Sequence, residues 1–267
     1  FEFLHHLPFY GLAVMCKDDP VVRDLLGDIT KPIMTYGIES DADVIAYEIR
    51  QDGTRMFFKV RDRSGGLDLS VTLNLPGLHN VLNSLAAIAV AHELGIGDEA
   101  ICRGLERFEG IGRRFHVCGE LSIDPGTVTL VDDYAHHPRE IEATLEAARA
   151  SWPGRRLVVV FQPHRYTRTR DLFEDFARVL AQTDALLITE IYPAGEAPIP
   201  GADARALCRA IRARSKVDPI FVATLDALPA VLADVLQDHD LLLNLGAGDI
   251  GTMPSLLLGH GIGAKDV

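Results

Sequence analysis

The chain has 267 residues, 48% apolar and 24% charged, enough to bury one large core or two smaller ones, and nothing in the composition suggests disorder. Thirty-eight acidic against 26 basic side chains give a formal charge of -12, which repels nucleic acid and anionic membranes and leaves small molecules as the expected partners. The scattered Cys16, Cys102, Cys118 and Cys208 form no Cys-x-x-Cys pair and fit a reduced cytoplasm, and no apolar run reaches the roughly 20 residues that span a bilayer.

The chain starts without Met in an aromatic stretch, residues 1–10, that reads as the tail of a helix begun earlier and suggests truncation. Residues 11–16 read as a strand, and Pro20 fits the first position of a short helix over 20–26. Three β-rich segments, about 43–50, 55–62 and 67–73, are separated by the turn sequences Asp52-Gly53 and Ser64-Gly65-Gly66, which predicts an antiparallel meander. Apolar positions 78, 81, 82, 85 and 89 follow helical spacing up to Gly95, and Asp98 is expected to cap a second helix ending near Phe108. Gly110-Ile111-Gly112 makes a hinge. After about residue 121, strands (127–132, 156–161, 185–190, 219–222, 240–245) alternate with helices (138–150, 171–181, 203–213, 226–236). Continuous apolar strands such as Leu157-Val158-Val159-Val160-Phe161 belong in a parallel sheet covered on both faces, so a doubly wound α/β domain is expected, with ligands beyond the carboxyl ends of its strands.

Four segments could carry chemistry. On the helix opened by Gly77, Asn80 and Asn83 are three apart and share a face; their carboxamides could read the edge of a base, although capping plus one solvated Asn is the commoner use of such residues. In Val131-Asp132-Asp133-Tyr134-Ala135-His136-His137-Pro138, acids and imidazoles meet the positive end of a helix at a strand terminus. Adjacent His residues in extended chain point apart, so a ligand-binding loop is favoured over a metal site and no metal ligand is assigned. Gln162-Pro163-His164-Arg165-Tyr166-Thr167-Arg168-Thr169-Arg170 puts three guanidinium groups and an imidazole directly after a buried strand, as a carboxylate or phosphate site requires. Gly246-Ala247-Gly248-Asp249-Ile250-Gly251 matches the dinucleotide fingerprint literally, but no βαβ unit follows, so it reads as a turn permitting close backbone approach. Arg113 and Arg114, beside the hinge, could reach a phosphate or be solvated.

Taken together, residues 132–138 and 162–170, with the His79-Asn80-x-x-Asn83 helix, Arg113-Arg114-Phe115, Leu245 to Ile250 and the stretch Phe3 to Gly11, resemble the Mur ligase family, in particular its L-alanine-adding branch. The resemblance covers essentially the whole chain. It implies residues 1–112 as the distal part of a P-loop-type central ATPase domain and 113–267 as a Rossmann-like C-terminal domain that presents the amino acid. It further implies ATP-dependent joining of L-alanine to UDP-N-acetylmuramate through an acyl phosphate, in peptidoglycan precursor synthesis. Asn80 and Asn83 would serve the adenine, Arg114 the phosphates and Asp133 the ribose. Arg114, His136 and His164 would lie at the reaction centre, and Tyr134, His164, Arg165 and Arg168 would hold the incoming amino acid. No Gly-x-x-x-x-Gly-Lys-Ser/Thr loop occurs, so that loop and the Mg2+ ligands are expected upstream, and the chain alone is expected to be inactive. Rival readings are the related ligase that recycles a tripeptide onto the same sugar nucleotide, a dinucleotide-dependent oxidoreductase suggested by Gly246 to Gly251, and a noncatalytic binding module.

Overall fold

Asp19 shows how local chemistry sets the first elements: its carboxylate accepts the amides of Val21 and Val22 at 2.9 and 3.1 Å, and Pro20 occupies the first helical position, where it lacks only a donor the helix would leave idle. The computed structural model describes residues 2–262, which divide into two compact units between Glu109 and Gly110.

The first unit contains α1 (Glu2–His5), β1 (Ala13–Cys16), α2 (Pro20–Leu25), β2 (Ile33–Gly37), β3 (Val44–Asp52), β4 (Arg55–Asp62), β5 (Asp68–Leu73), α3 (Leu78–Glu93) and α4 (Asp98–Glu106). Its sheet runs β1-β2-β3-β4-β5. The meander is β3 to β5, and its first turn is closed by Gly53 at φ 57°. Strand β2, absent from the sequence reading, lies parallel between β1 and β3, and Asp43 holds it through the Thr35 amide and hydroxyl at 2.8 and 2.6 Å. Val81, Leu85, Ile88 and Ala89 of α3 pack on Phe58, Val60, Val71 and their neighbours to make the core. The expected cap of the second helix is displaced by one residue: Gly97 is the N-cap, and Asp98 sits in the first turn, where its charge complements the helix dipole.

The second unit contains β6 (His116–Ile123), β7 (Gly126–Asp133), α5 (Pro138–Ser151), β8 (Leu157–Phe161), α6 (Tyr166–Asp171), α7 (Phe173–Leu180), β9 (Ala185–Thr189), α8 (Ala204–Arg214), β10 (Ile220–Val222), α9 (Leu228–Val235), β11 (Leu241–Leu245) and α10 (Met253–His260). The sheet order is β10-β9-β8-β11-β7-β6, parallel except for β6. Strand β6 has only one buried side chain and lacks the apolar run that marks the others, which hid it from the sequence. Side-chain alternation divides β8 between two cores. Leu157, Val159 and Phe161 meet α5, α7 and α8, whereas Val158 and Val160 share a core with α9 and α10. Each such fully buried side chain contributes about 1.5–3 kcal/mol.

This division locates the site. The chain leaves β7 and β8 for helices on one face and leaves β11, which lies between them, for the other face. The crevice opened there, beyond the carboxyl ends, is where doubly wound sheets bind ligands.

Candidate functional site

Three segments meet at that crevice: residues 132–137 after β7, 162–168 after β8 and 246–250 after β11. Their anchors are buried polar groups. Asp132, 3% exposed, accepts Arg113 Nε at 2.8 Å and Asn244 Nδ2 at 2.7 Å, and Arg113 also donates to the Gly246 carbonyl at 2.6 Å. Asp133, 5% exposed, accepts the Phe115 and Ala135 amides, each at 2.7 Å. Burial pushes its carboxyl up to about 6, against the pull of those amides and of Arg114 and with a further push from Glu140.

Asp132 and Asp133 thus stabilise an unusual backbone. Arg113 and Phe115 sit at φ 61° and 44°, a conformation that costs an L-residue about 1–2 kcal/mol, and the Tyr134 amide adds a 2.6 Å bond to the Arg113 carbonyl. Arg113 is consumed internally. Arg114 instead presents a half-exposed guanidinium 3.6 Å from Glu140, with its Cζ 5.5 Å from the centre of the Tyr134 ring.

The imidazoles follow from helix capping. Glu140, at the third position of α5, accepts the His136 and His137 amides at 3.0 and 3.2 Å, and Pro138 opens the helix. Bonds to those amides and the neighbouring His136 and Arg114 hold Glu140 below the usual carboxylate range against its burial. His136 Nδ1 lies 2.9 Å from the Tyr134 carbonyl and 3.2 Å from the Glu140 carboxylate, both of which can only accept, so Nδ1 carries hydrogen. In His164 the reverse holds: its Nδ1 faces the donor-only Arg168 guanidinium at 3.3 Å, leaving hydrogen on Nε2. Burial, then Arg168, His136 and Arg165, depress its pKa, so the ring is neutral at pH 7. Tyr134, His136, His164 and Tyr192 form a row of rings with successive centroids 5.2, 5.8 and 5.4 Å apart.

Of the three Arg residues after β8, Arg165 and Arg168 gather beside His164, whereas Arg170 points away and pairs with Asp171 at 2.7 Å. Residues 166–170, read from the sequence as part of a strand-end segment ahead of a helix over 171–181, form the separate helix α6. Its first turn is held by a residue the sequence reading missed. Glu196 accepts the Thr167 amide at 2.9 Å and hydroxyl at 2.7 Å and lies 3.6 Å from Arg165. The Thr167 bonds, with help from Arg165, keep Glu196 ionised below the usual range. A lone acid in the Pro193-Ala194-Gly195-Glu196 loop after β9 obeys the same strand-end rule that picked out the other segments, and that rule could have found it.

The glycine turn is filled by the protein itself. A Cβ at Gly246 would come within 2.9 Å of the Gln162 carbonyl, and one at Gly248 within 2.3 Å of the Gln162 side chain and 2.6 Å of Tyr192. Gln162 is fixed there by bonds to Asp249 and the Ile250 amide at 2.6 and 3.1 Å. The close approach expected of this turn is therefore to the chain's own side chains, leaving no place for a pyrophosphate and removing the motif that suggested an oxidoreductase. A cavity of about 190 Å³ adjoins it, lined by Gln162, Thr189, Glu190, Tyr192, Thr224 and Asp249.

In the first unit, Asn80 Nδ2 donates to the Pro76 carbonyl at 2.8 Å, and exposed Asn83 donates to Asn80 Oδ1 at 3.4 Å. Gly77, not an Asn, is the N-cap of α3, so both carboxamides lie within the helix. Among the described residues no cluster of three or more His, Cys, Asp or Glu could hold a metal ion, and no helix is long and apolar enough to cross a membrane.

The Mur ligase middle domain model matches residues 1–91, and the Mur ligase glutamate ligase domain model matches residues 113–248. A UDP-N-acetylmuramate--L-alanine ligase from Halorhodospira halophila is 59% identical over 258 residues, covering 97% of this chain and 53% of that protein. The crystal structure of the UDP-N-acetylmuramate-alanine ligase MurC from Thermotoga maritima aligns with a TM-score of 0.71 at 26% identity, covering 93% of this chain and 51% of that one. The MurF ligase from the same organism, solved in complex with ADP, aligns at 0.69 and 19% identity, covering 96% and 54%, and speaks for the fold alone. The chain spans about half the length of these relatives. With two domain models in sequence order and 59% identity to a named ligase, this chain belongs to the Mur ligase family.

Proposed function

We propose that this chain is the nucleotide- and amino-acid-handling part of a UDP-N-acetylmuramate:L-alanine ligase, which uses ATP to join L-alanine to the sugar nucleotide in peptidoglycan precursor synthesis. The observation that carries the reading is the gathering of His164, Arg165 and Arg168 opposite His136, at the strand ends of a chain 59% identical to a ligase of that name. The same identity favours the alanine enzyme over the tripeptide-recycling ligase. Residues 1–112 are assigned to the central ATP-binding domain and 113–267 to the domain that presents the amino acid. The four free cysteines accord with a reducing cytoplasm.

Each side chain then has a role that its surroundings allow. The Arg165 and Arg168 guanidinium groups take the carboxylate of L-alanine, a group they can pair with bidentately. His164, neutral, walls the same site without adding a third charge. In its neutral form, His136 has a lone pair on Nε2 with which to accept a proton from the alanine ammonium, releasing the amine to attack the activated lactyl carboxyl. Tyr134, between His136 and Arg114, packs against the small substrate. Arg114 stabilises charge developing on the phosphates and the Asn80 and Asn83 carboxamides read adenine, whereas Asp133, expected at the ribose, is buried with each carboxylate oxygen on a backbone amide and serves by holding the turn beside Arg114. None of these residues is assigned to Mg2+, which when bound would neutralise the phosphates.

Phosphate release tests this, measured on the chain joined to its upstream segment and supplied with ATP, Mg2+ and UDP-N-acetylmuramate. Release that depends on L-alanine is expected. Release with tripeptide alone moves the assignment to the recycling enzyme, and release with neither overturns the ligase reading.

A further inference from the structure

Arg113 is tied into the second unit through two guanidinium nitrogens and its backbone carbonyl. Its Nε and Nη2 reach Asp132 and the Gly246 carbonyl, its own carbonyl accepts the Tyr134 amide, and its guanidinium carbon lies 5.3 Å from the centre of the Tyr134 ring. Asp132 is shared with Asn244, which also donates to the Ile250 carbonyl at 3.1 Å. The guanidinium fits so closely under the glycine turn that a Cβ on Gly251 would fall 2.4 Å from its Cζ. One side chain thereby joins the segment at residues 113–115 to the ends of both β7 and β11, across 133 residues of sequence. The backbone it holds has positive φ on both sides of Arg114.

We infer that Arg113 is a positioning residue: its latch onto Asp132 and Gly246 holds the left-handed turn that aims the neighbouring Arg114 guanidinium at the ligand. Arg114 lacks such anchors, with only the 3.6 Å pairing to Glu140 and the Tyr134 ring beside it, so its aim is set through the backbone. Displacing a charged group by about 1 Å costs on the order of a hundredfold in rate, so a latch of this kind has kinetic weight. The kinetic arm of the inference rests on the ligase reading above; its structural arm does not.

The test uses Arg113→Ala, whose vacated space matches a free guanidinium ion, with Gly251→Ala as an independent way of displacing the guanidinium. In the chain joined to its upstream segment, Arg113→Ala should raise KM for ATP by about tenfold or more while leaving KM for L-alanine within about twofold, and millimolar guanidinium should restore the ATP constant. Gly251→Ala should shift the same constant in the same direction. In the chain as it stands, amide hydrogen exchange at Phe115 and Tyr134 should accelerate in both variants relative to the amides of β8. A uniform loss in all constants without guanidinium rescue overturns the inference, as does unchanged exchange at those two amides. If the unsubstituted protein shows no ATP-dependent activity, the ligase reading fails and hydrogen exchange alone decides the latch.

Discussion

The polar groups of the α3 helix and those at the strand ends of the second unit were both candidates for ligand contact, yet they are built in different ways. Asn80 and Asn83 are neighbours because a helix returns every three to four residues, and their bonds are local, the one between them 3.4 Å long and the other to the Pro76 carbonyl. The strand-end groups are neighbours because the sheet brings together residues far apart in sequence. Buried carboxylates accept backbone amides and guanidinium hydrogens at 2.7–2.8 Å. A local pair can adjust when a ligand arrives, whereas a convergent network with buried charges is fixed beforehand and loses more when one member is removed. Substitutions at the strand ends should therefore cost far more than those on the helix.

The sharpest contrast is Arg168→Ala. Removing the donor proposed for the amino-acid carboxylate should lower kcat/KM for L-alanine about 100-fold, corresponding to roughly 2–3 kcal/mol, as measured by steady-state kinetics on the protein joined to its upstream segment. A loss below about threefold would dissociate this wall from the substrate. Next comes Glu196→Ala, which frees both Thr167 and Arg165. The same constant should fall about tenfold, mainly through KM for L-alanine, and Glu196→Gln should recover part of it by still accepting the Thr167 amide. No recovery with Gln would place the effect in the charge rather than in the cap.

Most of this architecture was readable because its signals are local. Continuous apolar runs gave β8 and β11, Pro138 marked the start of α5, and the turn at Asp52-Gly53 marked the meander. What escaped depends on partners distant in sequence. Strand β2 is held by Asp43 and by pairing on both sides, and β6 is an edge strand with few buried side chains. The candidate residues were found by type and by position after strands, but their division of labour was not. Nothing in Arg113-Arg114 says that the first is consumed by Asp132 and the second presented. The position of Glu196 after β9 was open to the same strand-end rule, but its partners, Thr167 and Arg165, follow a different strand and could not be read from sequence.

Asp133 gives the comparison a pH axis. Its pKa in the folded protein, about 6, is raised above the ordinary 3.8 by burial. The sign follows: this group contributes its stability fully below the ordinary value, and the contribution is lost as pH rises through about 6. Descending from pH 7, the carboxyl takes up a proton near pH 6, and one of its two amide bonds, to Phe115 or Ala135, must weaken. The amide shifts of both residues should therefore show an inflection near pH 6 that disappears in Asp133→Asn. An inflection near 3.8 would mean that the two amides and Arg114 cancel burial, and one below it that they outweigh it. Asn80 and Asn83 carry no titrating group, and the α3 amides beside them should stay flat through the same range.

The smallest effect is expected at Asn83→Ala. The side chain is exposed, its bond to Asn80 is at the limit of hydrogen bonding, and Ala is the better helix former, so stability should change by no more than about 0.5 kcal/mol. KM for ATP should rise by only about twofold to fivefold, because a solvated carboxamide exchanges one set of hydrogen bonds for another when it meets a base. Asn80→Ala differs, since the 2.8 Å bond to Pro76 ties the first turn of α3 to the segment before it and its loss should lower stability by about 1 kcal/mol. Thermal melts of the two variants, set beside their ATP constants, separate the roles. A hundredfold rise in KM for ATP at Asn83, with an unchanged melt, would show that a loosely held helix pair can matter as much as a buried network, and the contrast between the two regions would fall.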